Sequence, residues 1–278
     1  MKPIFKYAGS KRRILETNGS LFIPQNKFSC FVDMFAGGLS VSYFIRKNFP
    51  EVRIIANDNS KELMFMYSML RDNTEDFIST FKVLEQTYLA LPAGPRGQRK
   101  EFFYNIRDKY LFSETKTPVE EAVYLLFMLK TCFNGVWRAY KFANYKFSSA
   151  AGEGKEKSLG SQNLQEFADF LKTIELVVGD WKNVPYSGHT YFYADPPYFE
   201  TDINYESNND KPFQFDLLDY LNDRANEGYL VATSNYEMNP ELWKRHLPSC
   251  STYPIDISHN ARRGITKAQV KEVLVKNF

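Results

Sequence analysis

Short runs rich in β-branched and aromatic residues recur at Phe28–Phe35, Val52–Ala56, Ile174–Val178, Thr190–Ala194, Tyr229–Thr233, Thr252–Ile257 and Val270–Lys276. They predict seven strands. Helical periodicity fills several of the gaps, as at Leu39–Lys47 after the first strand and Phe215–Asn226 after the fourth. Strands alternating with helices predict an α/β domain with a mostly parallel sheet. Between the second and third strands the pattern changes. Lys61–Arg71, Glu75–Leu89, Arg99–Leu111 and Val119–Thr131 all carry helical spacing, Leu91–Gln98 has turn chemistry, and Asn134–Gly160 is loop-like. A helical insertion over 60–160 is therefore expected within a sheet domain built from 1–59 and 161–278. No internal repeat is evident.

A chain of 278 residues has room for such a core and its insertion. Hydrophobic residues make up 44% and charged residues 24%, which excludes collagen-like, low-complexity and mainly disordered chains. No uncharged apolar run approaches the roughly 20 residues that span a bilayer, and no apolar segment of signal-peptide type follows the basic N-terminus. Cys30, Cys132 and Cys250 are far apart, as are His189, His246 and His259. Neither a disulfide framework nor a Cys- or His-based metal centre is expected. The expectation is a soluble protein of the cytoplasm, with no membrane partner.

Charge matters here through clustering, because the net value is only +2. Lys2, Lys6, Lys11, Arg12 and Arg13 open the chain without an acid among them. Lys130, Arg138, Lys141 and Lys146 form a second acid-free stretch, threaded with Phe133, Trp137, Tyr140, Phe142, Tyr145 and Phe147. Arg262, Arg263 and Lys267 form a third. Aromatics reach 16% of the chain, so beyond a Phe-rich core some rings are available to stack on bases or a planar cofactor. Acid-poor clusters with interleaved aromatics point to a nucleic-acid surface.

Two segments carry candidate chemistry. In Phe31–Ser40 a strand runs into Gly37 and Gly38 and then a helix, which permits close backbone approach to a ligand at a helix N-terminus. Asp58 closes the next strand, where an acid suits a ribose hydroxyl pair. Alone, this pairing equally describes a tight turn with a helix-associated Asp. Asp195-Pro-Pro-Tyr198 is sharper, because it follows an apolar strand and so lies at the carboxyl edge of the sheet. Two prolines remove two N–H donors and stiffen the turn. A carboxylate, rigid carbonyls and a ring suit the exocyclic amine of a flat base.

With these segments in view, the chain resembles the Dam-type (D12 class, alpha group) site-specific DNA adenine-N6 methyltransferases. Phe5–Lys11 is similar to the family's N-terminal cofactor motif, with Tyr7 at its aromatic position and Lys11 at its lysine. Phe31–Ser40, including Phe35 and Gly37, resembles its glycine motif, Asp58 its acid, and Asp195–Tyr198 its DPPY motif. Phe133-Asn-Gly-Val-Trp-Arg138 resembles its DNA-contacting segment. Ile257–Asn260, Arg263, Lys267 and Glu272–Leu274 resemble its C-terminal signature. Asp33, Met34 and Leu39 depart from the usual Glu, Pro and Gly, and Phe147–Gly152 replaces the usual sequence after Arg138.

The resemblance implies a seven-stranded Rossmann-like methyltransferase sheet with an inserted helical target-recognition subdomain. It implies S-adenosylmethionine as methyl donor, no metal, and a double-stranded DNA substrate whose adenine is flipped out. Asp195, Pro196, Pro197 and Tyr198 would be catalytic. Tyr7, Lys11, Phe35, Gly37, Asp58 and Asp195 would hold the cofactor, and Lys6, Phe133, Asn134, Val136 and Arg138 would contact DNA. Asp180 would face the cofactor's adenine end or simply cap a turn. Trp137 or Phe133 would support the disturbed base stack or anchor the helical core. Rival functions are a degenerate fold that binds DNA without catalysis, and methylation of RNA or a protein glutamine.

Overall fold

The computed structural model describes residues 4–5, 7, 9–94, 97–133, 150–197, 213–236, 240–255 and 272–278. Contacts group the chain into two compact units, Lys11–Asn59 with Val177–Phe278 and Met1–Ser10 with Ser60–Leu176.

The sheet comprises β1 (Cys30–Asp33), β2 (Arg53–Asp58), β3 (Glu175–Val178), β4 (Thr190–Ala194), β5 (Leu230–Tyr236), β6 (Ser251–Ile255) and β7 (Glu272–Lys276). Its order is β3-β2-β1-β4-β5-β7-β6. β1 lies parallel to both β2 and β4, and β4 lies parallel to β5. β7 runs antiparallel between β5 and β6. All seven expected strands are present in this mixed sheet. Burial along the whole of β1 and β4 explains why those runs lack polar alternation: central strands covered on both faces need apolar residues throughout.

In the sheet unit, α1 (Arg12–Asn18) and α2 (Ser40–Asn48) flank the first strand, and α8 (Phe213–Asn226) and α9 (Pro240–His246) follow the fourth and fifth. Cys30, Val32, Phe192, Ala194, Val231 and Val273 are buried in one cluster with Leu217, Leu218 and Leu221 of α8. Each of the Val, Leu and Phe side chains contributes about 1.5–3 kcal/mol on burial. The strand period turns Phe31 and Asp33 to the opposite face, where Phe31 meets Tyr191 edge-on at 5.1 Å between ring centroids.

The helical unit contains α3 (Lys61–Asp72), α4 (Thr74–Ala90), α5 (Arg99–Phe112), α6 (Pro118–Thr131) and α7 (Leu164–Leu171). α6 begins at a capping box in which Thr117 and Glu120 exchange side-chain and backbone hydrogen bonds. It is buried over most of its circumference, and α3, α4 and α5 all pack on it. α7 packs on α3 and α4, which carries the helical unit past residue 160 to Leu176.

Two buried polar side chains organise the return from α6. Arg99 donates to the carbonyls of Leu89, Leu91, Gly154 and Glu156 at 2.7–3.2 Å. Glu85 accepts from the backbone N–H groups of Leu159 and Gly160 and from Ser158 Oγ. Beyond α6, Cys132 bridges to Ala151, and Phe133 N donates to the Ala150 carbonyl at 2.8 Å.

Candidate active site

Because β1, β2 and β4 are parallel, their carboxyl ends share one edge of the sheet, and the antiparallel β7 presents its first residue there. Asp33 ends β1, Asp58 ends β2, Asp195 follows β4 and Glu272 opens β7. The chain moves outward from β1 in one direction through β2 and β3, then in the other through β4 and β5. β1 and β4 thus flank the switch point, where open α/β sheets bind ligands.

The turn after β1 is laced to both neighbouring strands. Met34 N donates to the Tyr193 carbonyl at 2.9 Å, and Ala36 N to the Asn57 carbonyl at 2.8 Å. Gly37 has φ +44° and donates its N–H to Asp58 Oδ2 at 2.9 Å. Leu39, where the family pattern has Gly, also holds a left-handed backbone at φ +58° while its side chain is buried. That conformation costs a non-glycine residue about 1–2 kcal/mol, and burial of the leucine side chain offsets it. Asn57 is buried and donates from Nδ2 to the carbonyls of Met34 (3.0 Å) and Gly179 (3.2 Å). Its Oδ1 is buried without a hydrogen-bond partner among the described residues. Phe35 packs against Trp181 and Phe213 with centroids 6.3 and 5.8 Å away, giving the turn an aromatic wall.

Asp195 is partly exposed, and its Oδ1 lies 2.7 Å from Lys11 Nζ. Lys11 is 2% exposed and also lies 3.9 Å from Glu272 Oε2. Pro196 is buried and Pro197 exposed. The Pro197 carbonyl accepts from Gln214 Nε2, and Gln214 Oε1 lies 3.5 Å from Asn235 Nδ2. Gln214, buried at the start of α8, thus braces the Asp195-Pro-Pro turn. Asp33 is buried and accepts from Ser42 Oγ at 2.6 Å. Burial pushes its carboxyl up to about 7, against the hydrogen bond from Ser42, and the negative charges of Asp195 and Asp58 add to the rise.

Of the residues expected to form the site, Lys11, Phe35, Gly37, Asp58, Asp195, Pro196 and Pro197 belong to the sheet unit. Tyr7 belongs to the helical unit and is exposed, with its ring edge-on to Phe5 at 6.0 Å. Phe133, also in the helical unit, is 52% exposed and so is not a core anchor. Asp180 caps the turn Trp181–Asn183 by accepting from Lys182 N at 2.9 Å. Lys6, Asn134, Val136, Trp137, Arg138 and Tyr198 lie outside the described residues.

Lys11, one of the basic residues that open the chain and the lysine of the N-terminal motif, has its ammonium buried against two carboxylates that arrive from β4 and β7. Gln214, Asn57 and the placement of Glu272 beside Lys11 are not part of any motif in the sequence that marks the site. Only Asn57 left a signal, as a polar residue ending the apolar run Ile54–Ala56 next to Asp58.

Among the described residues no group of three or more His, Cys, Asp or Glu is placed to hold a metal, and no helix is long and apolar enough to cross a membrane. The chain is 28% identical to the type II methyltransferase M.MjaIII of Methanocaldococcus jannaschii, over 71% of this chain and 69% of that protein. It is 23% identical to the type II methyltransferase M1.LlaDCHI of Lactococcus lactis subsp. cremoris, over 100% of this chain and 96% of the relative. It is 25% identical to the retron Ec67 DNA adenine methylase of Escherichia coli, over 84% and 77% of the two chains. The family model for D12 class N6 adenine-specific DNA methyltransferases matches residues 7–245, from Tyr7 through the glycine turn and Asp195 into α9, and the chain belongs to that family.

Proposed function

We propose that this chain transfers a methyl group from S-adenosylmethionine to N6 of an adenine flipped out of double-stranded DNA, at a defined sequence. The observation that carries this reading is the carboxylate of Asp195, set at the switch point beside the Gly37–Asp58 turn on a rigid Pro-Pro support. The residues there fit the donor. Asn57 Oδ1 is a buried acceptor lacking a hydrogen-bond partner among the described residues, Asp58 is a carboxylate suited to ribose hydroxyls, and Phe35 with Trp181 offers an apolar wall for a purine. When bound, the donor supplies an electrophilic methyl on a sulfonium that leaves as a neutral thioether.

The chain's own contribution is orientation. The adenine amine is a poor nucleophile because its lone pair is delocalised into the ring. Asp195 and the Pro196 carbonyl accept its two N–H groups, which favours a lone pair aimed at the methyl. Gln214 holds the turn in place through the Pro197 carbonyl. Tyr198 stacks on the base and recovers part of the few kcal/mol spent on flipping. Lys6, Phe133, Asn134, Val136 and Arg138 contact the duplex, a role that the exposure of Phe133 supports. DNA in the cytoplasm, of a bacterium or of a phage's host, is the substrate.

The test is to incubate the purified chain with methyl-labelled S-adenosylmethionine and duplex DNA, then digest the DNA to nucleosides. Label in N6-methyladenine is expected. Label confined to RNA or to a protein glutamine, when those are offered instead, would replace this reading. DNA binding without any transfer would favour a degenerate binding module.

A further inference from the structure

Lys11 is one buried cation shared by two carboxylates. Its Nζ lies 2.7 Å from Asp195 Oδ1 and 3.9 Å from Glu272 Oε2, and the Lys11 and Glu272 side chains are 2% and 6% exposed. The topology dictates this meeting. β5 separates β4 from β7, and the antiparallel pairing sets Glu272 opposite Tyr236 at the carboxyl end of β5. The antiparallel strand β7 thus delivers a second carboxylate to the edge where Asp195 stands.

The two distances differ in kind. At 2.7 Å the ammonium donates a charge-assisted hydrogen bond, whereas 3.9 Å is an ion pair beyond hydrogen-bond length. A movement of the ammonium on the order of 1 Å toward Glu272 would exchange the two relationships. Lysine suits such a movement, since it is a compact charge with three rotatable donors on a flexible stem. A buried ammonium deprived of its carboxylate would incur a desolvation penalty of several kcal/mol. Anything that competes for Asp195 therefore needs the ammonium to have somewhere to go.

We propose that Glu272 is a positioning residue for methyl transfer, receiving the Lys11 ammonium as Asp195 takes up the substrate amine. This rests on the reading of Asp195 as the amine's acceptor. Without Glu272, the ammonium stays on Asp195 Oδ1, and the incoming amine meets a carboxylate whose charge a cation already engages. With Glu272, the buried cation remains paired in both arrangements. The contribution falls on docking of the amine, so it belongs to turnover and not to cofactor binding.

The experiment is single-turnover methyl transfer by Glu272→Gln, which keeps the side-chain shape, with S-adenosylmethionine and DNA affinities and Tm measured on the same preparation. Turnover should fall on the order of tenfold, the scale of coupling between neighbouring charged groups, while both affinities and Tm stay near wild type. Glu272→Asp, which restores the carboxylate, should recover part of the rate. Wild-type turnover in Glu272→Gln would overturn the inference. So would a rate loss matched by equal losses in Tm and cofactor affinity, since that is a merely structural role. Asp195→Ala separates the two levels. If it transfers methyl normally, the reading of Asp195 itself fails, whereas an inactive Asp195→Ala beside a fully active Glu272→Gln removes only the role of Glu272.

Discussion

Asp58 Oδ2 accepts the backbone N–H of Gly37 at 2.9 Å, so the carboxylate that ends β2 also fixes the turn that ends β1. Two turns at the carboxyl edge of the sheet are held in one geometry by a single side chain. Asp58→Ala should therefore weaken S-adenosylmethionine binding by about 1.5–3 kcal/mol, the worth of a hydrogen bond to a charged group. The sequence of DNA that is modified should not change. Calorimetry giving wild-type cofactor affinity would take Asp58 out of the site.

Asp33 predicts how stability varies with pH. Its carboxyl is pushed up to about 7 from an ordinary value of 3.8, chiefly by burial. Between those values the folded chain keeps a proton that the unfolded chain releases, so stability falls as pH rises through the window. The contribution is complete below 3.8 and lost as pH passes 7, at up to about 1.4 kcal/mol per pH unit. Asp33→Asn should flatten this slope and be more stable than wild type at pH 8. Urea titrations of both proteins from pH 4 to 8 give the comparison, and parallel curves would contradict it.

Arg99 tests the helical unit. The residue is 8% exposed, and its guanidinium satisfies the carbonyls of Leu89, Leu91, Gly154 and Glu156. Arg99→Met keeps the stem and leaves those acceptors without their donor, at an expected cost of about 2–4 kcal/mol. Thermal unfolding within 1 °C of wild type would show that other groups satisfy them.

Arg138 tests sequence reading. An arginine in the acid-free aromatic stretch either clamps a phosphate or makes a bidentate contact to guanine. We expect the base contact, with a cost of roughly 1–3 kcal/mol and a relaxed preference at one position in Arg138→Ala. Methylation of the preferred site and each single-base variant measures this. An equal loss on every sequence, with a salt slope reduced by about one, would make Arg138 a phosphate clamp.

The strands were legible because apolar, β-branched runs such as Ile54–Ala56 and Tyr191–Ala194 are buried on both faces of the sheet. The short helices were harder. α1 was concealed by its basic start, Arg12 and Arg13, although Ile14 and Leu15 are its buried residues. α7 carries Leu164, Phe167, Ala168 and Leu171 at helical spacing, but over only 8 residues. The Gly37–Asp58 pairing could be anticipated from two local motifs. The approach of Glu272 to Lys11 and Asp195 could not, because it depends on β7 running antiparallel beside β5, a long-range pairing that no local pattern encodes.

The most direct measurement is single-turnover transfer of labelled methyl to adenine N6 by Asp195→Ala, with DNA and cofactor affinities measured alongside. Removing one preorganised acceptor of the amine should slow transfer by about 10²-fold or more while DNA binding is largely retained. Turnover near that of wild type would contradict the assignment of Asp195 as the group that orients the reacting amine.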